Sequence, residues 1–274
     1  MVIPAKKGGY PDFHEHLQKL DDAGLLTTID EPVNKDTQLH PLVRWQFRGG
    51  IPEEQRKAFK FTNVTDSLGR SYEMPVVVGA LSTNAKMYSI GMGVPVEEIG
   101  NKWNDAMANP IDPVTVEKAA CQEIVIAGDD LKGEGKGLDG LPVPISTPGY
   151  DCAPYLTATN VTTRNPDTGT QNMGTYRAGL KASDRMAVRM VSRPGGAEGH
   201  MHWEMYKKRN EKMPCAIVVG CPQRLPIWDH KSYLLALRNC PSLVVLLASQ
   251  SVKSNVRLSI LWCRRSRRLY LKVL

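Results

Sequence analysis

The stretch that most constrains this chain is a turn with a β-prone run on either side. "YLTATNVTT" (155–163) and "QNMGTYRAGL" (171–180) flank "RNPDTG" (164–169). Proline presets its own φ and glycine accepts the left-handed backbone, so the chain reverses direction there. Two runs rich in Thr, Val and Tyr around such a turn predict an antiparallel hairpin. A lone hairpin is marginal in water, so neighbouring segments must supply further strands and an apolar cover.

Those segments are present. "RMAVRMVS" (185–192) reads as a third strand, "MHWEMYKKRNEK" (201–212) as a helix, and "PCAIVVG" (214–220) as a buried strand. Residues 121–128 suit another strand, and 129–151 form a loop dense in Gly and Pro. From 111 to 223 the chain is therefore β-rich with one inserted helix, compatible with a small barrel or sandwich. Ahead of it, Phe13, Leu17 and Leu20 recur at helical spacing between Asp12, a natural N-cap, and Gly24. Leu39, Leu42, Val43 and Phe47 repeat the pattern over 36–48, ending at Gly49-Gly50. Short strands follow at 58–64 and 75–81, then helices near 84–91 and 95–108. This alternation predicts a small α/β domain over residues 1–110.

Composition narrows the class. A chain of 274 residues, 42% hydrophobic, can bury a core, which excludes disorder throughout. No apolar run approaches the roughly 18–20 residues that span a bilayer. The opening "MVIPAKKGGYPDF" has no apolar stretch of signal-peptide type. Cys121, Cys152, Cys215, Cys221, Cys240 and Cys263 form no C-x-x-C pair. Reduced thiols in a cytoplasmic protein are the expected state. There is no internal repeat, P-loop, dinucleotide-binding glycine fingerprint or H-E-x-x-H metal motif. The net charge of +7 is unevenly spread. Residues 224–274 hold ten Lys/Arg against one acid, Asp229, whereas 1–223 hold 25 Lys/Arg against 27 Asp/Glu.

The second hairpin run carries the chemistry. In a flat strand Asn172 and Arg177, five apart, face opposite sides, which would leave Arg177 solvated and Asn172 near a turn. Gly174 between them offers the other reading, a bulge at 173–175 that turns both towards one site. Arginine grips a carboxylate through two parallel hydrogen bonds, and an asparagine carbonyl ligates hard cations such as magnesium or manganese. Downstream, "PGGAEGHMHWEMY" sets His200 and His202 just ahead of a helix. Histidines there serve as surface or capping groups, or, as neutral imidazoles, as metal donors. Glu198 and Glu204 read as solvated charges.

Residues 141–180, "LPVPISTPGYDCAPYLTATNVTTRNPDTGTQNMGTYRAGL", resemble the central motif of the UbiD family of decarboxylases. That family acts reversibly on aromatic and α,β-unsaturated carboxylic acids with prenylated FMN. Its pattern is "LP-x-P", then "GPY-(L/I)-T", "DP-x-TG" and "N-x-G-x-YR"; Ala153 stands where the family usually has Gly. "EKMPCAIVVGCP" resembles the family strand leading into the flavin site, and the likeness extends over roughly residues 12–223. It implies an α+β fold, with the small α/β domain followed by a partial split β-barrel that binds flavin over 111–223. It also implies that Asn172 ligates a divalent metal, usually manganese, which holds the flavin phosphate, with potassium as a further ion. Arg177 would lie at the substrate carboxylate, and Met173, Gly174, Thr175 and Tyr176 would line the cofactor between them. The second metal ligand would be His200, with His202 as the fallback. Implied partners are an aromatic or unsaturated acid, a flavin prenyltransferase as cofactor supplier, and further copies of the chain.

Part of the family pattern is missing. Its catalytic glutamates and a further metal-binding Glu should follow the "VVG" strand, yet no Glu follows Glu211. "LWCRRSRRLYLKVL" departs from the family just where the charge balance shifts. Two readings remain for residues 224–274. They are a basic element for nucleic acid or an acidic membrane surface, without a recognisable nucleic-acid module, or a segment translated out of frame. The expectation is a carboxy-lyase impaired in this form; the alternative is a non-catalytic flavin-binding or nucleic-acid-binding protein.

Overall fold

A computed structural model of the chain describes residues 13–109, 124–193, 196–220, 247–250, 258–263 and 268–273. The first part contains α1 (Phe13–Asp22), β1 (Leu26–Ile29), β2 (Val33–Asn34), α2 (Leu39–Arg48), β3 (Ala58–Phe61), β4 (Val64–Thr65), β5 (Ser71–Tyr72), β6 (Val76–Val78), α3 (Ala85–Met92) and α4 (Ile99–Ala108). β3 pairs in parallel with β1 and antiparallel with β6, and β4 joins β2 to β5.

Local chemistry sets these spans. α1 buries Leu20 and His16, and Gly24 ends its C-terminal turn with φ +68°. The expected cap, Asp12, lies outside the described residues. α2 starts at Leu39 and not at 36, because Asn34 Oδ1 accepts from the backbone N–H groups of Asp36 (2.8 Å) and Thr37 (3.2 Å). That Asx turn holds the intervening residues out of the helix. Asn84 caps α3 by accepting from Met87 N–H at 2.9 Å. Leu20, Leu25, Ala58, Ala80 and Met87 form one apolar cluster; Val33, Leu39, Val43, Phe61 and Val64 form another.

The second part contains β7 (Ile124–Ala127), β8 (Tyr155–Leu156), β9 (Thr159–Arg164), β10 (Gln171–Thr175), β11 (Ala178–Ala182), β12 (Arg185–Val188), α5 (Glu198–Lys208), β13 (Met213–Val219), β14 (Leu247–Gln250), β15 (Leu258–Cys263) and β16 (Arg268–Val273). A seven-stranded sheet runs β10-β9-β13-β16-β15-β7, with β14 also on β13, and a smaller sheet runs β12-β11-β8. Both sheets contribute to one core, through Val161, Met213 and Ile217 from the first and Ala178 from the second. The chain is thus of mixed α and β structure, as expected. No hydrogen-bonded closure into a barrel is present among the described strands.

The hairpin forms at the expected turn, but both of its runs are cut. Residues 155–163 divide into β8 and β9, which lie in different sheets, and 171–180 divide into β10 and β11 in the same way. There is no bulge at 173–175. The β9–β10 register runs unbroken from Gln171↔Arg164 to Thr175↔Asn160. The chain instead leaves the large sheet through Tyr176 and Arg177 and enters the small one, a corner that lets two sheets share a core. α5 begins at Glu198, so His200 and His202 lie inside the helix and not ahead of it.

Residues 224–274 contribute three strands despite their weak apolar periodicity. β14 pairs with Met213–Cys215, β16 with Ala216 and Ile217, and β15 with β7. Ladder bonds are made by backbone groups that every residue except proline carries in full, so extending a sheet edge demands little of side-chain pattern. Among the described residues no helix is long and apolar enough to cross a membrane.

Candidate functional site

The site grows from the paired register of β9 and β10. Asn165 N–H donates to Thr170 O at 2.8 Å and closes the turn, which sets Asn172 opposite Thr163. Both side chains lie on the face covered by α5, which packs on β9, β10 and β13. From that helix His202, 1% exposed, brings Nδ1 to 2.9 Å from Thr163 Oγ1. Asn172 Nδ2 donates to the same oxygen at 3.4 Å. Three elements thus converge on one buried hydroxyl.

Burial lowers the His202 pKa, against the opposing pull of Glu198, so the ring is neutral at neutral pH. With Nδ1 engaged by Thr163, Nε2 faces Glu198, whose Oε1 lies 3.8 Å away. Among the described residues no group of three His, Cys, Asp or Glu gathers as a metal site. A neutral imidazole beside an asparagine carboxamide is nevertheless donor chemistry that suits a divalent ion such as manganese.

The structure brings Asn172 to His202 and not to His200. At 100° per residue, helix positions two apart point about 200° apart. His200 accordingly stacks on Trp203 at 5.4 Å and places Nε2 3.5 Å from Glu204 Oε1.

Gly174 is explained by Tyr176. A Cβ on Gly174 would overlap the Tyr176 ring, lying 2.7 Å from Cε2 with Cζ and Oη still closer. The Tyr176 hydroxyl accepts from Gly199 N–H at 3.4 Å, and its carbonyl accepts from Thr159 Oγ1. The ring therefore wedges the first turn of α5 against β10. Met173 is 1% exposed and packs inside the fold. Thr175 is exposed and donates from Oγ1 to Asn160 Oδ1 at 3.3 Å.

Arg177, in the two-residue link between the sheets, is exposed and makes no ion pair among the described residues. Its guanidinium lies over the Tyr155 ring at 5.7 Å, and its carbonyl accepts from Arg189 N–H at 3.0 Å. Tyr155 in turn lines a cavity of about 860 Å³ between the two parts of the chain, together with Glu73, Met74, Thr157 and Asn160. Asn172 and His202 are not among its lining residues. Arg177 does not line it either; the cavity reaches the hairpin along residues 155–160.

Sequence reasoning missed Thr163 and Tyr155. Thr163 was within reach, since counting across the hairpin from its closing residues puts it opposite Asn172. No local signal marks Tyr155, whose contact with Arg177 depends on the corner between sheets.

Residues 113–227 match the family model described as UbiD, the 3-octaprenyl-4-hydroxybenzoate carboxy-lyase Rift-related domain. Among solved structures, vanillic acid decarboxylase of Sedimentibacter hydroxybenzoicus in closed form superposes with a TM-score of 0.72 at 19% identity, covering 90% of this chain and 56% of that one. The evolved dimeric UbiD-class enzyme HmfF of Pelotomaculum thermopropionicum, in complex with prFMN, gives 0.68 at 20% identity, with 92% and 57% covered. The apo 3,4-dihydroxybenzoic acid decarboxylase of Enterobacter cloacae gives 0.69 at 17%, with 92% and 54% covered. At such identities the likeness is one of fold, and the chain spans little more than half the length of these proteins. Residues 113–227 thus carry the likeness to the UbiD family, through its Rift-related domain.

Proposed function

We propose that this chain carries the prenylated-flavin site of a carboxy-lyase acting on an aromatic or α,β-unsaturated carboxylic acid. The observation that carries the reading is the Asn172–Thr163–His202 cluster, on the hairpin whose exit presents an exposed Arg177. Asn172 and His202 would hold a divalent ion such as manganese that neutralises the flavin phosphate. His202 takes this role over His200 because it alone shares a partner with Asn172. Thr163 orients both donors from behind, as groups that hydrogen-bond to metal ligands commonly do.

Prenylated flavin, when bound, supplies the electron sink for loss or gain of CO2. The chain's own residues bind and orient. Arg177 grips the substrate carboxylate, and the Tyr155 ring beneath its guanidinium holds that plane in place. The cavity beside Tyr155 is large enough for a single aromatic ring. Replacing CO2 by a proton needs an acidic side chain near Arg177. An out-of-frame origin would account for the departure of residues 224–274 from the family pattern, and sequencing the gene across them tests it.

The direct experiment supplies the purified chain with prenylated FMN, Mn²⁺ and K⁺ and a panel of phenolic and cinnamic acids. Metal-dependent flavin binding is expected, and absence of any flavin binding would overturn the cofactor site.

A further inference from the structure

We infer that Glu198 is a third ligand of this metal site, completing a set with Asn172 from β10 and His202 one helical turn further along α5. The inference rests on the cofactor-site reading for the place of the ion, but on separate geometry for the ligand. In the sequence Glu198 looks like a solvated loop charge; in the fold it opens α5 and its side chain is 31% exposed.

Residues four apart on a helix share one face, so Glu198 and His202 point the same way. Their facing atoms, Oε1 and Nε2, are 3.8 Å apart, too far for a hydrogen bond. Two donors of one ion, each about 2.0–2.3 Å from it, stand roughly 3–4 Å apart, which matches that separation. Thr163 strengthens the case. When His202 Nδ1–H donates to Thr163 Oγ1, the Nε2 lone pair is directed at the Glu198 carboxylate. Two acceptors then face each other, and a cation between them turns a repulsion into two bonds.

The scaffold holds this arrangement in place. Gly199 N–H donates to the Tyr176 hydroxyl at 3.4 Å, and a Cβ on Gly199 would lie 3.1 Å from Tyr176 Cε2. The start of α5 is thereby set against the strand that carries Asn172.

Loss of the free Mn²⁺ electron paramagnetic resonance signal reads binding directly, without turnover. The titration compares the wild-type chain with Glu198→Gln, Glu198→Asp, Asn172→Ala and the control Glu204→Gln, each with its circular dichroism spectrum recorded. Expected are one bound Mn²⁺ in the wild type, at least tenfold weaker binding in Glu198→Gln, and no change in Glu204→Gln. Glu198→Asp keeps the charge in the first helical turn and should fold while binding more weakly than wild type. Binding lost in Asn172→Ala but intact in both folded Glu198 variants would sink the role of Glu198 and leave the cofactor site standing. A wild type that takes up no Mn²⁺, or one that keeps it in Asn172→Ala and Glu198→Gln alike, would overturn both.

Discussion

Replacing Gly174 by alanine should destabilise the chain, through the side chain it collides with and not through the backbone. Gly174 lacks the positive φ that would strain an L-residue. With an empty neighbour, alanine in this strand would gain about 0.5–1 kcal/mol over glycine. The neighbour is not empty. The new Cβ would lie 2.7 Å from Tyr176 Cε2 and closer still to Cζ and Oη, whereas carbon atoms rest about 3.5–4.0 Å apart. The ring would have to move by about 1 Å. It is held at its hydroxyl by Gly199 and at its carbonyl by Thr159, and it packs on the shared core. Overpacking of this kind costs about 1–3 kcal/mol. At a urea slope of about 2 kcal/mol/M, the unfolding midpoint should fall by roughly 0.5–1.5 M. A double-mutant cycle isolates the cause. In a Tyr176→Ala background Gly174→Ala should be neutral or stabilising, giving a coupling of about 1–3 kcal/mol. An unchanged midpoint for Gly174→Ala alone, or an equal loss in both backgrounds, would show that the ring is not what requires glycine.

Stability should fall as the solution is acidified, in two stages. Burial lowers the folded-state pKa values of His16, His40 and His202 below 6.5, so the unfolded chain binds these protons more readily. Their contribution is complete above about pH 6.5 and is lost as pH falls through the lowered values. Burial pulls the Asp66 carboxyl upward, but hydrogen bonds from Arg70, Tyr72 and Leu68 outweigh it and hold the pKa at about 2, against 3.8 ordinarily. Its share, about 1–2 kcal/mol after solvent screening, is present above about pH 4 and lost towards pH 2. Urea midpoints rising between pH 7 and 5 would contradict the first stage. Thr163→Val should cost about 1–3 kcal/mol by orphaning Asn172 and His202, and should weaken Mn²⁺ uptake; a chain unaffected in both would dissolve the cluster. Arg177→Ala, at an exposed position, should stay within about 0.5 kcal/mol of wild type in stability yet abolish any measurable CO2 exchange, and Arg177→Lys should not restore it. Retained exchange would remove Arg177 from the reaction.

The sequence by itself determined the elements whose causes are local. The Asn-Pro-Asp-Thr-Gly turn forces the hairpin, and its closure at Asn165 and Thr170 sets Asn172 against Thr163. The helices α1 and α3 follow from apolar spacing, with Gly24 ending the first and Asn84 capping the second. Tertiary structure decided everything that depends on which surfaces meet. Residues 171–180 are β-prone throughout, yet they divide at Tyr176 and Arg177 because two sheets share one core there. Gly174, which suggested a bulge, is a place for a tyrosine ring. Starting α5 at Glu198 fixed the helical phase, and the phase buried His202 against Thr163 with Glu198 on the same face while sending His200 to Trp203. Short-range preferences choose the dihedral angles of a segment. Its partners are chosen by apolar burial summed over residues far apart in the chain, which no single stretch records.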